Sequence, residues 1–401
     1  MRLCLLLAAL ALVALGIVTV YSVGNPAEPS PAVKMGNDAD LWKKQLIFAV
    51  IAFAGYVAIN LVNYRKLGSV SYWIYASVLL LLALLVVSRY VVELPFAPAS
   101  HNAHRWIVLH PRLPWIQPSE LCKLGYILAL AWYLRYRSNY RNFNALLGPF
   151  TLTLLPMVLI LVEPDLGTVI LMMPIFLTML FVAGAKVKHL LMIVLAAMVL
   201  SPLWWSKMKP YQQTRISSVI LQNAWIREKA EQHPALGRIL VGGRFSTKQW
   251  MRDEGYQLIR SKFAVASGGM KGYGFRKGLF IKYNFLPDRD NDFIFAMIAH
   301  QWGFLGCLAV LGLYALIVVC GLEIAANNTD PFGRLVVIGI IAMFIVEVLV
   351  NVSMTMGLMP ITGLTLPLVS YGGSSLLVSM ISVGLLNNDG RCRPFSVAPK
   401  R

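Results

Sequence analysis

What most limits this chain is a series of predominantly apolar runs with few charges, each about as long as a bilayer is thick. A helix needs about 20 apolar residues to cross the hydrocarbon core, and candidate spans fall at roughly 2–23, 44–62, 71–88, 119–136, 146–163, 166–184, 187–205, 293–322, 332–357 and 370–387. The runs do not alternate apolar with polar residues, which excludes the strands of a membrane barrel. Charged residues make up only 13% of the chain, against about 25% in a soluble domain. The expected fold is an all-α integral membrane protein, a bundle of about ten transmembrane helices. Leu3 to Val20 outruns a signal-peptide core, and no small-x-small cleavage site follows, so it is read as a retained first span.

Lysine and arginine in short loops set the orientation. With the N-terminus inside, the inner segments hold Arg2, Arg65, Lys66, Arg135, Arg137, Arg141, Lys186, Lys188, Arg334, Arg391, Arg393, Lys400 and Arg401. The outer ones hold Lys34, Lys43, Lys44, Arg89, Arg105 and Arg112. Both termini are therefore expected in the cytoplasm. Residues 206–291, between the seventh and eighth spans, form one long extracytoplasmic loop with sixteen Lys or Arg and six Asp or Glu, a net charge of +10. Long loops are exempt from the charge rule. Its apolar stretches predict short amphipathic helices at the membrane surface. Its charge suits either an anionic ligand such as phosphate or anionic lipid headgroups. No internal repeat of the kind found in many transporters is visible.

Few polar residues interrupt the spans. In "QPSELCKLGY", Glu120 and Lys123 stand three apart on one helical face and can pair, as a structural brace or as part of a site. In "LVEPDLGTV", Asp165 is placed to cap the sixth helix, with Glu163 in the turn before it. Glu347 and Asn351 share a face of the ninth span and suit interhelical hydrogen bonding. "ASGGMKGYGFRKG" lacks nucleotide-loop spacing, yet its glycine amides with Lys271, Arg276 and Lys277 suit a pyrophosphate. "TLPLVSYGGSSLL" reads as a broken entry into the last span, and such backbone must be buried or line a cavity. Asp292, at the head of the eighth span, has two compatible uses: a helix cap and a general base. Five cysteines show no pairing or metal spacing and are read as packing residues; no protein metal site is expected.

These segments carry a resemblance. "HRWIVLHPRLPWIQPSELCKL", "EPDLGTVI", "KPYQQTRI", "YQLIRSKFAVASGGMKGYGF", "LPDRDNDFIFAMIAHQWGFLG" and "NVSMTMGLMPITGLTLPLVSYGGSSLL" are similar, in order, to the signature segments of the RodA/FtsW (SEDS) family of peptidoglycan polymerases. The resemblance implies a glycosyltransferase that polymerises lipid II outside the bacterial cytoplasmic membrane and releases undecaprenyl pyrophosphate. It implies a class B penicillin-binding protein as partner, with lipid II, the undecaprenyl-linked strand and membrane lipids as further partners and no nucleic acid. The family's essential aspartate maps onto Asp292. Substrate contacts are implied at Arg105, Trp106, Glu120, Lys123, Gln257, Lys262, Lys271, Lys277, Arg289, Ser370, Ser374 and Ser375. The resemblance fixes no cofactor, and a divalent cation, Mg²⁺ or Mn²⁺, is left open as a companion of the pyrophosphate. The chain departs from the family at Asp288, Asp290-Asn291 and His300-Gln301-Trp302-Gly303, and its segment between Ile216 and Gly255 is longer than usual. "GLMPITG" points to the elongation-type, RodA-like branch. The division-type, FtsW-like branch and a lipid II flippase are the alternatives.

Overall fold

A computed structural model describes residues 1–28, 39–91, 94–98, 105–108, 115–136 and 143–391. Lys34, Arg112, Arg137, Arg141, Cys392, Arg393, Lys400 and Arg401 lie outside the described residues. Seven long helices come first: α1 (Arg2–Gly24), α2 (Leu41–Leu61), α3 (Tyr64–Tyr90), α4 (Pro118–Leu134), α5 (Leu147–Val162), α6 (Leu166–Val182) and α7 (Val187–Lys207). Six short ones follow: α8 (Pro210–Ser217), α9 (Ala224–Gln232), α10 (Pro234–Val241), α11 (Thr247–Trp250), α12 (Glu254–Gly268) and α13 (Leu279–Lys282). The chain then returns through α14 (Ile294–Asn327), α15 (Pro331–Thr355) and α16 (Gly373–Asp389). The ten long helices occupy the ten expected spans. Six are long and apolar enough to cross a membrane, and α5 and α6 are shorter apolar helices. The remaining two, α4 and α16, carry more polar residues and are buried through most of their length.

That division follows from the solvent. Lipid tails are as apolar as leucine, so an outer helix exposes apolar residues without penalty and polar groups collect inside. In α7 only Ile193 is buried, while Leu195, Val199 and Leu203 face outward. Arg2 Nε donates to Asn387 O at 3.1 Å and to Asn387 Oδ1 at 2.9 Å. This joins the start of α1 to the end of α16, so both ends of the described chain lie at one end of the bundle. Asp292 and residues 206–291 lie at the other.

Residues 206–291 form the predicted short helices, but α8–α11 turn their apolar faces on one another. Leu221, Ala230, Val241, Phe245 and Trp250 are buried in a small core of their own. The glycine-rich segment after α12 packs against α14. Tyr273 N donates to His300 O at 3.1 Å, Gly274 N to Gln301 O at 2.9 Å, and Phe304 N to Gly269 O at 2.8 Å. Such approach leaves no room for side chains: a Cβ on Gly268 would overlap Ala299 O. Gly303, at φ 64°, breaks α14 where the loop lies against it.

Candidate active site

The residues before α14 are pinned by α15 and by the entry to α16. Asn351, fully buried on α15, donates through Nδ2 to Asp292 O at 3.0 Å and to Leu364 O at 2.7 Å. Ser370 Oγ donates to Asn291 O at 2.7 Å and accepts from Leu366 N at 2.8 Å. Tyr371 N donates to Asp290 O at 2.9 Å. The predicted broken entry is thus a non-helical stretch up to Gly372, buried at Leu364, Leu366, Leu368 and Val369, and Ser370 and Tyr371 within it hold the backbone of Asn291 and Asp290 just before Asp292.

The Asp292 carboxylate is not a helix cap. Phe293 occupies the cap position of α14, with no side-chain cap bond. The half-buried carboxylate lies beside Gly363, where a Cβ would come within 3.7 Å of Oδ2. Burial pushes its pKa up to about 7, aided by the negative charges of Asp288 and Asp290 and opposed by Arg215 and Arg105.

The other candidate residues divide into groups. Arg105 Nε donates to Glu163 O at 2.8 Å, and its guanidinium also reaches Pro164 O. Trp106 packs edge-on against Trp115, with ring centroids 6.3 Å apart. Ser374 Oγ donates to Trp115 O at 2.9 Å and accepts from Gln117 N at 3.0 Å, while Ser375 Oγ pairs with Thr365 Oγ1 at 2.7 Å. Asp165 caps α6 as expected, accepting from Thr168 N at 3.2 Å, and also accepts from Ser119 Oγ at 2.9 Å. Arg105, Trp106, Ser370, Ser374 and Ser375 thus belong to the segments bordering Asp292.

Glu120 and Lys123 pair at 2.8 Å, and Glu347 completes a triad at 2.5 Å from Lys123 Nζ. All three are enclosed in the bundle, Lys123 at 2% exposure. Glu347 lies one helical turn before Asn351, so the triad's anchor on α15 adjoins the side chain that holds Asp292. Lys262 is exposed on α12 and donates to Gln222 Oε1 at 2.8 Å; Gln257 is half-buried on the same helix. Lys271 and Lys277 are exposed, but their loop is seated on His300 and Gln301, about 12 Å along α14 from Asp292. The Gly272, Tyr273 and Gly274 amides there are engaged by carbonyls, and Arg276 holds Asn25 O at 2.5 Å. Arg289 is buried and reaches the carbonyls of Phe280 and Ile281 at 3.4 and 3.5 Å.

Sequence reasoning overlooked Arg215. It was within reach, inside the quoted "KPYQQTRI" segment. Arg215 lies at the head of a groove of ≈ 780 Å³ between α5, α6 and α7, lined by Phe150, Met157, Met173, Leu200 and Trp204 and reaching Thr362. A long apolar ligand lying there would present its polar end to Arg215, close to Asp292.

Residues 2–391 match the profile of the FtsW/RodA/SpoVE cell cycle proteins. The chain is 33% identical over 430 residues to the peptidoglycan glycosyltransferase RodA of Treponema pallidum, with 95% of each chain covered. It is 32% identical over 390 residues to a probable peptidoglycan glycosyltransferase FtsW of Trichlorobacter lovleyi, covering 96% of this chain and 91% of that one. Among solved structures it is similar to a chain described under the structural coordination of polymerization and crosslinking by a peptidoglycan synthase complex. That match has a TM-score of 0.72, 29% identity and 96% coverage of each chain. The rod shape determining protein RodA of Thermus thermophilus matches with a TM-score of 0.64 and 28% identity, covering 97% of this chain and 96% of that one.

Proposed function

The chain belongs to the FtsW/RodA/SpoVE family and is a peptidoglycan glycosyltransferase, and we propose that Asp292 is the base with which it polymerises lipid II at the outer face of the cytoplasmic membrane. The observation that carries this is a carboxylate left out of any helix cap, with its own carbonyl held by Asn351 and those of Asp290 and Asn291 held by Tyr371 and Ser370, near the Arg215 that heads an apolar groove. Asp292 takes the proton from the 4-hydroxyl of the acceptor's N-acetylglucosamine. The freed oxygen attacks the donor's anomeric carbon with inversion, and the bond to undecaprenyl pyrophosphate breaks with its electron pair on the leaving phosphate oxygen. Arg215 and Arg105 supply positive charge where that charge collects. The ≈ 780 Å³ groove takes part of the polyprenyl tail. Among the described residues no three His, Cys, Asp or Glu side chains converge to hold an ion. A divalent cation entering with the pyrophosphate would take most of its ligands from substrate and water oxygens.

The test is strand synthesis from purified lipid II by the purified chain, alone and with a class B penicillin-binding protein. Glycan strands are expected, longer or faster with the partner. No strands in either reaction would overturn the assignment. A base with a pKa near 7 is protonated and idle at lower pH, so the initial rate should rise with pH to half its plateau near pH 7. A rate flat from about pH 5 to 8 would remove Asp292 from the proton transfer.

The orientation is part of the proposal. Cysteines placed at exposed Gln232 on α9 and exposed Asn327 at the end of α14 lie at opposite ends of the bundle. With the native thiols removed, an impermeant thiol reagent on sealed cells should label the first and spare the second. The reverse pattern would put Asp292 on the cytoplasmic side.

A further inference from the structure

A second opening, ≈ 350 Å³ in volume, lies in the α8–α11 module rather than in the bundle. Its lining differs in kind from that of the apolar groove. Tyr211 supplies an exposed ring, with Phe245 and Trp250 behind it, and Thr214, Ser246 and Gln249 supply hydrogen-bonding groups. Arg244 and Asp253 bring charges of opposite sign. An acyl or prenyl chain would leave these polar groups unpaired in its presence. A phosphate would meet Asp253 as well as Arg244. A sugar ring fits this mixture, having an apolar C–H face and a rim of hydroxyl and amide groups that both donate and accept. The volume is at the small end of the range for ligand sites, about 300–1,000 Å³.

The cleft also shares a helix with the apolar groove. Tyr211 and Thr214 line it from α8, and the next residue on that helix, Arg215, lines the head of the apolar groove. One short helix thus borders both openings. Its position is fixed within the module: Ser217 Oγ donates to Leu240 O at 2.5 Å, and Trp250 Nε1 donates to Ser218 Oγ at 3.0 Å. We propose that this cleft is a saccharide subsite that holds the N-acetylated sugars of the growing strand beyond the point of bond formation; the assignment rests on the polymerase reading above. Residues 241–253 build one wall of this subsite, which lets the chain keep hold of a strand between additions.

Gly243 provides the test. It lines the cleft, a Cβ built there meets no atom within 4 Å, and it lacks the left-handed φ of its neighbour Gly242. Gly243→Phe should therefore fill the cleft without displacing the backbone. The probe is a soluble tetrasaccharide of alternating N-acetylglucosamine and N-acetylmuramic acid, titrated by calorimetry into the full chain in detergent. Binding should weaken about tenfold, as loss of ~1.4 kcal/mol of contact gives. Strands made from lipid II should shorten by a larger factor than lipid II consumption slows. Gln249→Ala, an exposed substitution, should act in the same direction and serves if the first variant does not accumulate. Unchanged tetrasaccharide affinity and strand length in both variants would overturn the proposal. So would a loss confined to stimulation by the penicillin-binding protein, which would make the cleft a partner contact. A wild-type chain that makes no strands would defeat the polymerase reading. Tetrasaccharide binding lost on filling the cleft would still establish the subsite.

Discussion

Lys123→Met should destabilise the protein by about 3–5 kcal/mol, the usual consequence of removing one partner from a buried ion pair. Lys123 Nζ stands 2.8 Å from Glu120 and 2.5 Å from Glu347, and all three side chains are nearly inaccessible. Without the ammonium, two carboxylates face each other in the bundle, and each must be protonated or repel the other. The measurement is thermal unfolding in detergent, with membrane accumulation alongside. An unchanged midpoint would mean that water reaches the triad. The triple replacement Lys123→Met, Glu120→Leu and Glu347→Leu should recover most of the loss, because apolar side chains of similar volume can replace a whole buried triad. We expect polymerisation to return with stability, since the triad acts by holding α15, and Asn351 one turn on holds Asp292 O at 3.0 Å. A stable but inactive triple variant would instead give Glu120 and Lys123 the direct substrate contact that the family resemblance implies.

The legible features were those whose causes are local. Apolar runs mark where helices cross lipid whatever they pack against, so all ten long helices stand within a few residues of the expected spans apart from α3. That helix starts earlier, at Tyr64, because the Asn63 side chain accepts from Arg65 N at 3.0 Å. The Asp165 cap and the Glu120–Lys123 pair were readable from spacing alone. Glu347 as the third member was not, because it lies 224 residues from Lys123 in the chain. The glycine-rich segment misled by composition. Its amides suit an anion in isolation, but here they meet the carbonyls exposed where α14 breaks at Gly303, and that break itself depends on a segment about 30 residues earlier. The cleft in α8–α11 was hidden for the same reason, since it exists only after four short helices have packed. Local pattern finds elements and caps; contacts between distant segments decide which polar groups remain free for a ligand.

Asp292→Asn should leave the protein folded and lower polymerisation by roughly 10²–10⁴, the range general-base catalysis contributes. An amide keeps the shape but cannot take up a proton near neutral pH. The backbone bond from Asn351 to Asp292 O does not involve the side chain. Phe293, not Asp292, is the cap residue of α14, so no cap bond is lost. A fall in rate therefore reports on the carboxylate and not on helix stability, provided the unfolding midpoint stays put. Asp290→Asn is the control. Asp290 accepts from Tyr371 N through its backbone at 2.9 Å, which the substitution keeps. Its negative charge helps raise the Asp292 pKa. Removing it should retain most of the activity and move the rising limb of the pH profile below pH 7, because ionising Asp292 then meets less repulsion. A limb that moves upward would contradict the electrostatics. A dead Asp290→Asn beside an active Asp292→Asn would put the base two residues earlier in the chain.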